Sequence, residues 1–141
     1  MNSGMEESLV KILLDTNIIV SALIYKGKPE IIFKLVLDKQ IRLVISPILL
    51  SELQEILLKK FDFSKRKTIR IDQKIRKVAK IVHPKETINI IRDEDDNRVL
   101  EAAIEGNCNY VVTGDKDLLV FKNYKKVEIV TAEEFLSRLK Q

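Results

Sequence analysis

Short apolar runs alternate along the chain with longer segments in which apolar residues recur every three or four positions. Such runs predict strands buried on both faces, whereas the three-to-four spacing predicts amphipathic helices. Strands that alternate with helices favour a parallel sheet covered on both sides. We therefore predict an α/β fold, a three-layer α/β/α arrangement around a central, mainly parallel five-stranded sheet, with strands at residues 10–14, 42–45, 87–91, 110–113 and 127–130.

Local start and stop signals bound the predicted helices. Ser46 followed by Pro47 is a typical helix start, Thr131 can cap the last helix, and Gly106 with Asn107 can end the helix before them. Each predicted strand is followed by at least one helix, as connections between parallel strands require. The predicted helices cover residues 18–25, 29–39, 47–61, 64–82, 95–105, 116–121 and 132–139.

The composition narrows the size class and the compartment. A chain of 141 residues is expected to fold as one domain, 1–141 with its core at about 10–139. The single cysteine, Cys108, cannot form an internal disulfide, and with His83 alone it offers no plausible zinc cluster. These counts predict a protein of the reducing cytoplasm. No membrane segment is expected, because no apolar run approaches roughly 18 residues.

Basic residues are concentrated between Lys59 and Lys80. This stretch contains ten Lys or Arg against two Asp, a local charge of +8, whereas the whole chain carries +4. Such a segment can attract a phosphate backbone, although a solvated helix face would explain it equally well. Acidic motifs elsewhere in the chain favour the first interpretation, since carboxylates with a bound metal and a basic flank suit a polyanion. The predicted contacts within this segment are Lys65, Arg66, Lys67 and Arg70.

Three acidic residues follow predicted strands at the point where each strand ends. Asp15 follows the first strand directly, Asp93 follows the third strand after Arg92, and Asp115 follows the fourth strand after Gly114. Ligands bind at the carboxyl edge of parallel sheets. Carboxylates gathered there repel one another unless a cation neutralises them or some protonate. Each of these acids could be only the N-cap of the next helix, but a divalent metal at this edge would account for all three.

Four consecutive acids, Asp93 to Asp96, span the junction between the predicted third strand and the next helix. Acids in a first helical turn interact favourably with the helix dipole, but four in a row exceed what capping requires. Asp96 lies one turn before Leu100 and is the acid best placed to point into the fold. Glu52, at the margin of the apolar face of its own helix, could reach the same sheet edge.

Together these motifs resemble the PIN domain, in order from residue 10 to about residue 135. They are Asp-Thr-Asn after a strand, a Ser-Pro helix with a central Glu, Asp-x-Asp-Asp-Asn before a helix, and Val-Thr-Gly-Asp-Lys-Asp-Leu. The match is best to the branch often assigned to toxins of toxin–antitoxin systems. Each motif alone is a weak signal, but four in this order are specific. One departure is Glu94, where members of the branch often have Pro.

The resemblance implies a nuclease that depends on Mg²⁺ or Mn²⁺, with one or two ions, and that acts on RNA. It also suggests a homodimer and an antitoxin partner. Carried over by position, the acidic quartet that holds the metal is Asp15, Glu52, Asp96 and Asp115, with Asp117 as a further acid. The supporting residues would be Asn17, Thr113 and Asp93, and Lys116 is either a surface charge or a phosphate contact.

Two other functions remain open from the sequence. A PIN-like RNA-binding or regulatory module without catalysis would usually lack acids of the quartet, and none is missing here. A phospho-acceptor receiver domain also gathers acids and a Lys at a sheet edge, but it generally has an acidic pair after its first strand, where this chain has only Asp15. The complete quartet favours an endoribonuclease that hydrolyses phosphodiester bonds with metal-activated water.

Overall fold

Six strands form one sheet in the computed structural model, which describes residues 9–140. The spatial order of the strands is β3-β2-β1-β4-β6-β5, and every neighbouring pair is parallel except β5 and β6. The predicted α/β fold with a mainly parallel sheet is confirmed, with six strands in place of five. The strands are β1 (Lys11–Leu14), β2 (Arg42–Ile45), β3 (Lys80–Ile81), β4 (Tyr110–Val112), β5 (Asn123–Tyr124) and β6 (Val127–Val130).

Helices connect the strands and cover the sheet. Ile12, Leu13 and Leu14 are all at most 1% exposed. Because successive side chains of a strand point to opposite faces, both faces of β1 are covered. The helices within residues 9–140 are α1 (Thr16–Ile24), α2 (Gly27–Leu37), α3 (Pro47–Lys59), α4 (Lys65–Val78), α5 (Glu94–Glu105), α6 (Lys116–Leu119) and α7 (Ala132–Leu139), and none of them is both long and apolar enough to cross a membrane.

Two of the predicted helix starts are confirmed by their capping contacts. The Leu49 amide lies 3.4 Å from Ser46 Oγ, to which it donates, and Pro47 is the first residue of α3. At the start of α7 the Glu134 amide donates to Thr131 Oγ1, and Glu134 Oε1 accepts from the Thr131 amide. This reciprocal pair is a capping box, and its hydrogen bonds lower the pKa of Glu134.

The predicted third strand at residues 87–91 is wrong, so Asp93 does not follow a strand. The connecting segment 82–93, here called the strap, contains no strand, and its backbone instead bonds to side chains of α5. The edge strand beside β2 is instead β3, which directly follows the basic helix. That helix ends at Val78 rather than at residue 82, because Ala79 is extended and the Val82 amide donates to Ile45 O. Val82 lies four residues after Val78 and so continues the helical spacing of apolar residues, which is why the sequence does not reveal where this helix ends.

Gly106 ends α5 because of packing and not because of a left-handed backbone. Its φ is −84°, whereas Asn107 has the positive φ of 53°. A Cβ atom at residue 106 would lie 2.5 Å from Val44 Cγ1. The close approach of α5 to β2 therefore requires glycine at this position.

Replacing Gly106 by Ala is expected to lower the free energy of unfolding by about 1–3 kcal/mol, because the new methyl group overpacks the core at Val44. Denaturant unfolding measures this loss. Gly114→Ala is the matched control and should stay within about 0.5 kcal/mol of the wild type, since a Cβ there meets no atom within 4 Å. Additive losses in Gly106→Ala combined with Val44→Ala would contradict the assigned contact.

Candidate metal centre

A cleft of about 520 Å³ lies at the carboxyl edge of the sheet. Strands β1 and β4 are neighbours, so Asp15 and Asp115 reach this edge side by side, while α3 and α5 supply the remaining walls. All four residues of the predicted quartet lie in this one cleft. The charged side chains that line it are Asp15, Glu52, Glu55, Lys59, Lys60, Asp93, Asp95, Asp96 and Asp115.

Thr113 connects two of these acids through one buried hydroxyl. Thr113 Oγ1 donates to Asp15 Oδ2 at 2.7 Å and accepts from the Asp115 amide at 3.0 Å. Asp15 is 6% exposed, and its burial raises the pKa of its carboxyl group, while the bond from Thr113 opposes that rise. Asp15 also accepts from the Asn17 amide as the N-cap of α1, and the exposed Asn17 lies at the wall of the cleft. Thr113 thus holds the ends of β1 and β4 in register at the site.

Replacing Thr113 by Val is expected to destabilise the protein by about 1–3 kcal/mol, because Asp15 Oδ2 loses its donor and the Asp115 amide loses its acceptor. The pKa of Asp15 should rise further, since the bond that lowers it is gone. Thermal unfolding at pH 8 measures the loss, and Thr113→Ser, which keeps the hydroxyl, should recover most of it. Equal stability of the Val and Ser variants would argue against this role of the hydroxyl.

Asp96 differs from the other acids that line the cleft in having a buried oxygen atom without a hydrogen bond. It is 5% exposed, and its Oδ2 atom is buried without a hydrogen-bond partner. Burial first, and then the neighbouring Asp115, raise the pKa of Asp96 to about 7. Asp93 serves as the N-cap of α5, where its carboxylate accepts from the Asp95 amide at 2.9 Å. The capping acid and the buried acid are therefore different members of the acidic run.

Glu52 is fixed by a contact with α1. Thr16 Oγ1 donates to Glu52 Oε1 across the gap between α1 and α3. Burial is the main cause that raises the pKa of Glu52, and this hydrogen bond opposes the rise. The packing of α1 on α3 reveals this link between Thr16 and Glu52, which lie 36 positions apart in the sequence.

Carboxylate oxygens of Asp96, Asp115 and Asp117 lie within 4.8 Å of one another. Asp115 caps α6 by accepting from the Asp117 amide at 2.8 Å, which also brings Asp117 into this group. Mg²⁺ and Mn²⁺ prefer oxygen ligands of this kind. The donor set therefore fits such an ion, and Asp96 Oδ2 has no other partner that would satisfy it.

The basic residues predicted to bind nucleic acid are not part of the cleft wall. Residues Lys65, Arg66, Lys67 and Arg70 are exposed on α4, where Arg66 and Arg70 line a separate shallow groove, and Lys116 is exposed on α6. Lys59 and Lys60 instead lie in the cleft at the end of α3. Helical spacing from Glu52 could have found them, since side chains seven and eight positions along, which is two turns of helix, share its face.

An α/β fold whose carboxylates gather at the carboxyl edge of a parallel sheet defines a class of proteins suited to bind a divalent cation. Residues 11–117 match the family model of the PIN domain, and this chain belongs to the PIN domain family. PIN domains are in general nucleases that depend on divalent metals.

The chain is also similar to individual proteins in sequence or in fold. An uncharacterized protein of Methanocaldococcus jannaschii, MJ1680, is 29% identical over 97% of this chain and 96% of its own length. Two solved structures share the fold at low sequence identity. VapBC2 from Rickettsia felis, bound to a DNA fragment from their promoter, has a TM-score of 0.57 and 20% identity over 85% of this chain and 97% of its own. PAE2754 from Pyrobaculum aerophilum has a TM-score of 0.56 and 17% identity over 94% of this chain and 90% of its own.

Proposed function

We propose that this protein is an endoribonuclease that hydrolyses RNA phosphodiester bonds in the cytoplasm with one or two Mg²⁺ or Mn²⁺ ions. The observation that carries the proposal is the buried Asp96 Oδ2 atom, which has no hydrogen-bond partner and lies beside other carboxylates. Ionised carboxylates this close raise the free energy of the folded protein unless a cation neutralises them. Membership of the PIN domain family supports the nuclease activity.

Three residues of the quartet are proposed to bind the metal, and the fourth is proposed to accept a proton. Asp15, Asp96 and Asp115 are proposed as the ligands, and the exposed Asp117 is a further ligand at the rim. A bound Mg²⁺ or Mn²⁺ would supply hydroxide near neutral pH and stabilise charge on the scissile phosphate. Glu52 has one oxygen held by Thr16, so its Oε2 atom is the proposed acceptor for the proton of the attacking water.

Each supporting residue then has a defined task. Thr113 orients the carboxylate of Asp15, and Asp93 begins α5 so that Asp96 points into the cleft. Asn17, exposed at the wall of the cleft, is proposed to contact the substrate. These residues act by fixing positions before substrate binds, which is how preorganised sites lower a barrier.

Substrate RNA is proposed to contact Lys59 and Lys60 in the cleft, with the basic residues of α4 and Lys116 as outer contacts. Lys59 lies 3.3 Å from Glu55, and this pair is mostly exposed to solvent. An exposed pair of this kind contributes little to stability, so Lys59 can exchange Glu55 for a phosphate at small cost.

Replacing Lys59 and Lys60 by Gln together is expected to raise KM for RNA with a smaller change in kcat. Each phosphate contact that is lost should reduce the slope of log affinity against log salt by about 0.7 for a single strand. Arg66→Gln with Arg70→Gln makes the same change in charge on α4 and is the matched comparison. A larger effect of the α4 pair would place the main interface on α4, as the sequence predicts.

The branch of the PIN family that the sequence resembles leads us to propose a protein partner, an antitoxin, and a homodimer as the active form. The fold similarity to VapBC2 supports a partner of this kind. Copurification of the chain with the product of a neighbouring small open reading frame would test the partner. The molecular mass in solution would test the dimer.

Cleavage of a panel of RNAs by the purified protein, with and without Mg²⁺ or Mn²⁺, tests the proposed function. Cleavage that requires the metal and disappears in Asp15→Asn is the expected result. RNA binding that EDTA does not affect, with no cleavage at any metal concentration, would favour a non-catalytic RNA-binding module instead. Transfer of phosphate from a small phosphodonor would indicate a receiver domain.

A further inference from the structure

Side chains of α5 bind the backbone of the strap in place of a neighbouring strand. Asn97 makes three of these bonds: its Oδ1 atom accepts from the Ile90 amide at 3.2 Å and from the Ile91 amide at 3.0 Å, and its Nδ2 atom donates to Ile91 O at 2.8 Å. Asn97 is 0% exposed. A carboxamide can make four hydrogen bonds, and three of those of Asn97 go to two consecutive strap residues. One N–H donor remains.

Further contacts follow at intervals of one helical turn. Glu101 Oε2 accepts from the Ile88 amide at 2.8 Å, and Arg98 Nη2 donates both to Ile88 O at 3.2 Å and to Glu101 Oε2 at 2.9 Å. Glu105 Oε1 accepts from the Lys85 amide at 3.0 Å in a more exposed position. Asn97, Glu101 and Glu105 are four residues apart, so they form one stripe along the helix.

Asn97 occupies the end of this stripe that is nearest to the cleft. It follows Asp96 directly, and its partner Ile91 lies two residues before Asp93, the N-cap of α5. The carboxamide therefore closes residues 91–97 into a loop held at both ends. All three acids that this part of the chain contributes to the cleft, Asp93, Asp95 and Asp96, lie inside that loop.

We propose that Asn97 is a positioning residue of the metal centre. By holding both ends of residues 91–97, it fixes the start of α5 and so the direction of the Asp96 carboxylate toward Asp115. This inference rests on the proposed function, since it concerns the affinity of that site for its cation. A purely structural role would leave the folded site unchanged and affect only the fraction of molecules that fold.

The test is calorimetric titration of Mn²⁺ into metal-free protein, with circular dichroism to measure the folded fraction of each variant. Asn97→Ala should bind Mn²⁺ about 10-fold more weakly per folded molecule, the lower end of the loss that is typical when a residue bonded directly to a metal ligand is removed, because Asn97 acts through the backbone of residues 90 and 91. Glu105→Ala is the matched control: it removes one strap bond at the far end and should keep the wild-type affinity. Asn97→Asp retains the acceptor for both amides but cannot donate to Ile91 O, so its affinity should fall between wild type and alanine.

Wild-type Mn²⁺ affinity of folded Asn97→Ala would overturn the inference and leave the proposed function intact. Absence of Mn²⁺ binding by the wild type would overturn the proposed function, and the inference with it. Where Asn97→Ala does not fold, Asn97→Asp decides. Its added negative charge alone would attract a cation, so weaker binding supports a positional effect, and unchanged or tighter binding contradicts it.

Discussion

Replacing Asp96 by Asn is expected to lower metal-dependent RNA cleavage by at least about a hundredfold, because loss of even an outer partner of a metal ligand commonly costs 10–100-fold. The carboxylate of Asp96 is buried, and its Oδ2 atom has no bond within the described chain that could compensate. An amide oxygen has the same size but lacks the charge that a divalent cation requires. Initial rates at saturating Mg²⁺ measure the loss.

Glu94→Gln provides the matched control for this substitution. Glu94 belongs to the same acidic run and the same helical turn, but it is exposed and does not line the cleft. It should therefore cleave RNA at the wild-type rate. An equal loss in Glu94→Gln would show that the net charge of the run matters and not the position of Asp96. Retained activity in Asp96→Asn would show that the reaction does not require the Asp96 carboxylate.

Saturating Mn²⁺ is expected to stabilise the protein strongly at pH 8 and weakly at pH 5. Metal at a hundred times its Kd adds about 2.7 kcal/mol to the free energy of unfolding, which is roughly 5–10 °C in Tm for a chain of this size. At pH 5 the cation must displace protons from the carboxylates, so its apparent affinity falls. Thermal unfolding with Mn²⁺ or EDTA at both pH values measures the difference.

The metal-free protein is expected to become less stable as the pH rises. The pKa of Asp96 is raised from its ordinary value of 3.8 to about 7, so the folded state binds this proton more tightly than the unfolded state does. Stability is therefore lost as the pH rises from about 4 to about 7. In EDTA, Asp96→Asn should be more stable than the wild type at pH 8 and equal to it near pH 4. Equal Tm values of the wild type and Asp96→Asn in EDTA at both pH 4 and pH 8 would contradict this account.

The sequence predicts the sheet of this protein well because buried parallel strands leave an unmistakable apolar run. β1, β2, β4 and β6 all lie where such runs stand. The same rule wrongly predicts a strand in the strap. Ile88 and Ile91 are buried there, but their backbone amides bond to side chains and not to a neighbouring strand. β5 is two residues long and carries no apolar run at all.

In the candidate site, too, the sequence predicts some features and not others. Asp15 and Asp115 could be found because they end strands, and Asp96 because it lies one turn before a buried leucine. The hydroxyl bridges from Thr16 and Thr113 could not be located from the sequence, because they join residues 36 and 98 positions apart. Asp117 illustrates a third case, since the turn at Asp115 brings it closer to the other carboxylates than spacing alone indicates.

The binding of the strap through its main chain also affects how its sequence can change. Hydrogen bonds from α5 reach the amides and carbonyls of residues 85–91 and do not depend on which side chains those residues carry. Thr87, Asn89 and Ile90 are exposed, so selection on them by packing is weak. The strap can therefore diverge at these positions while keeping its course to Asp93. Constraint should fall instead on α5, where one altered side chain would release several backbone groups at once.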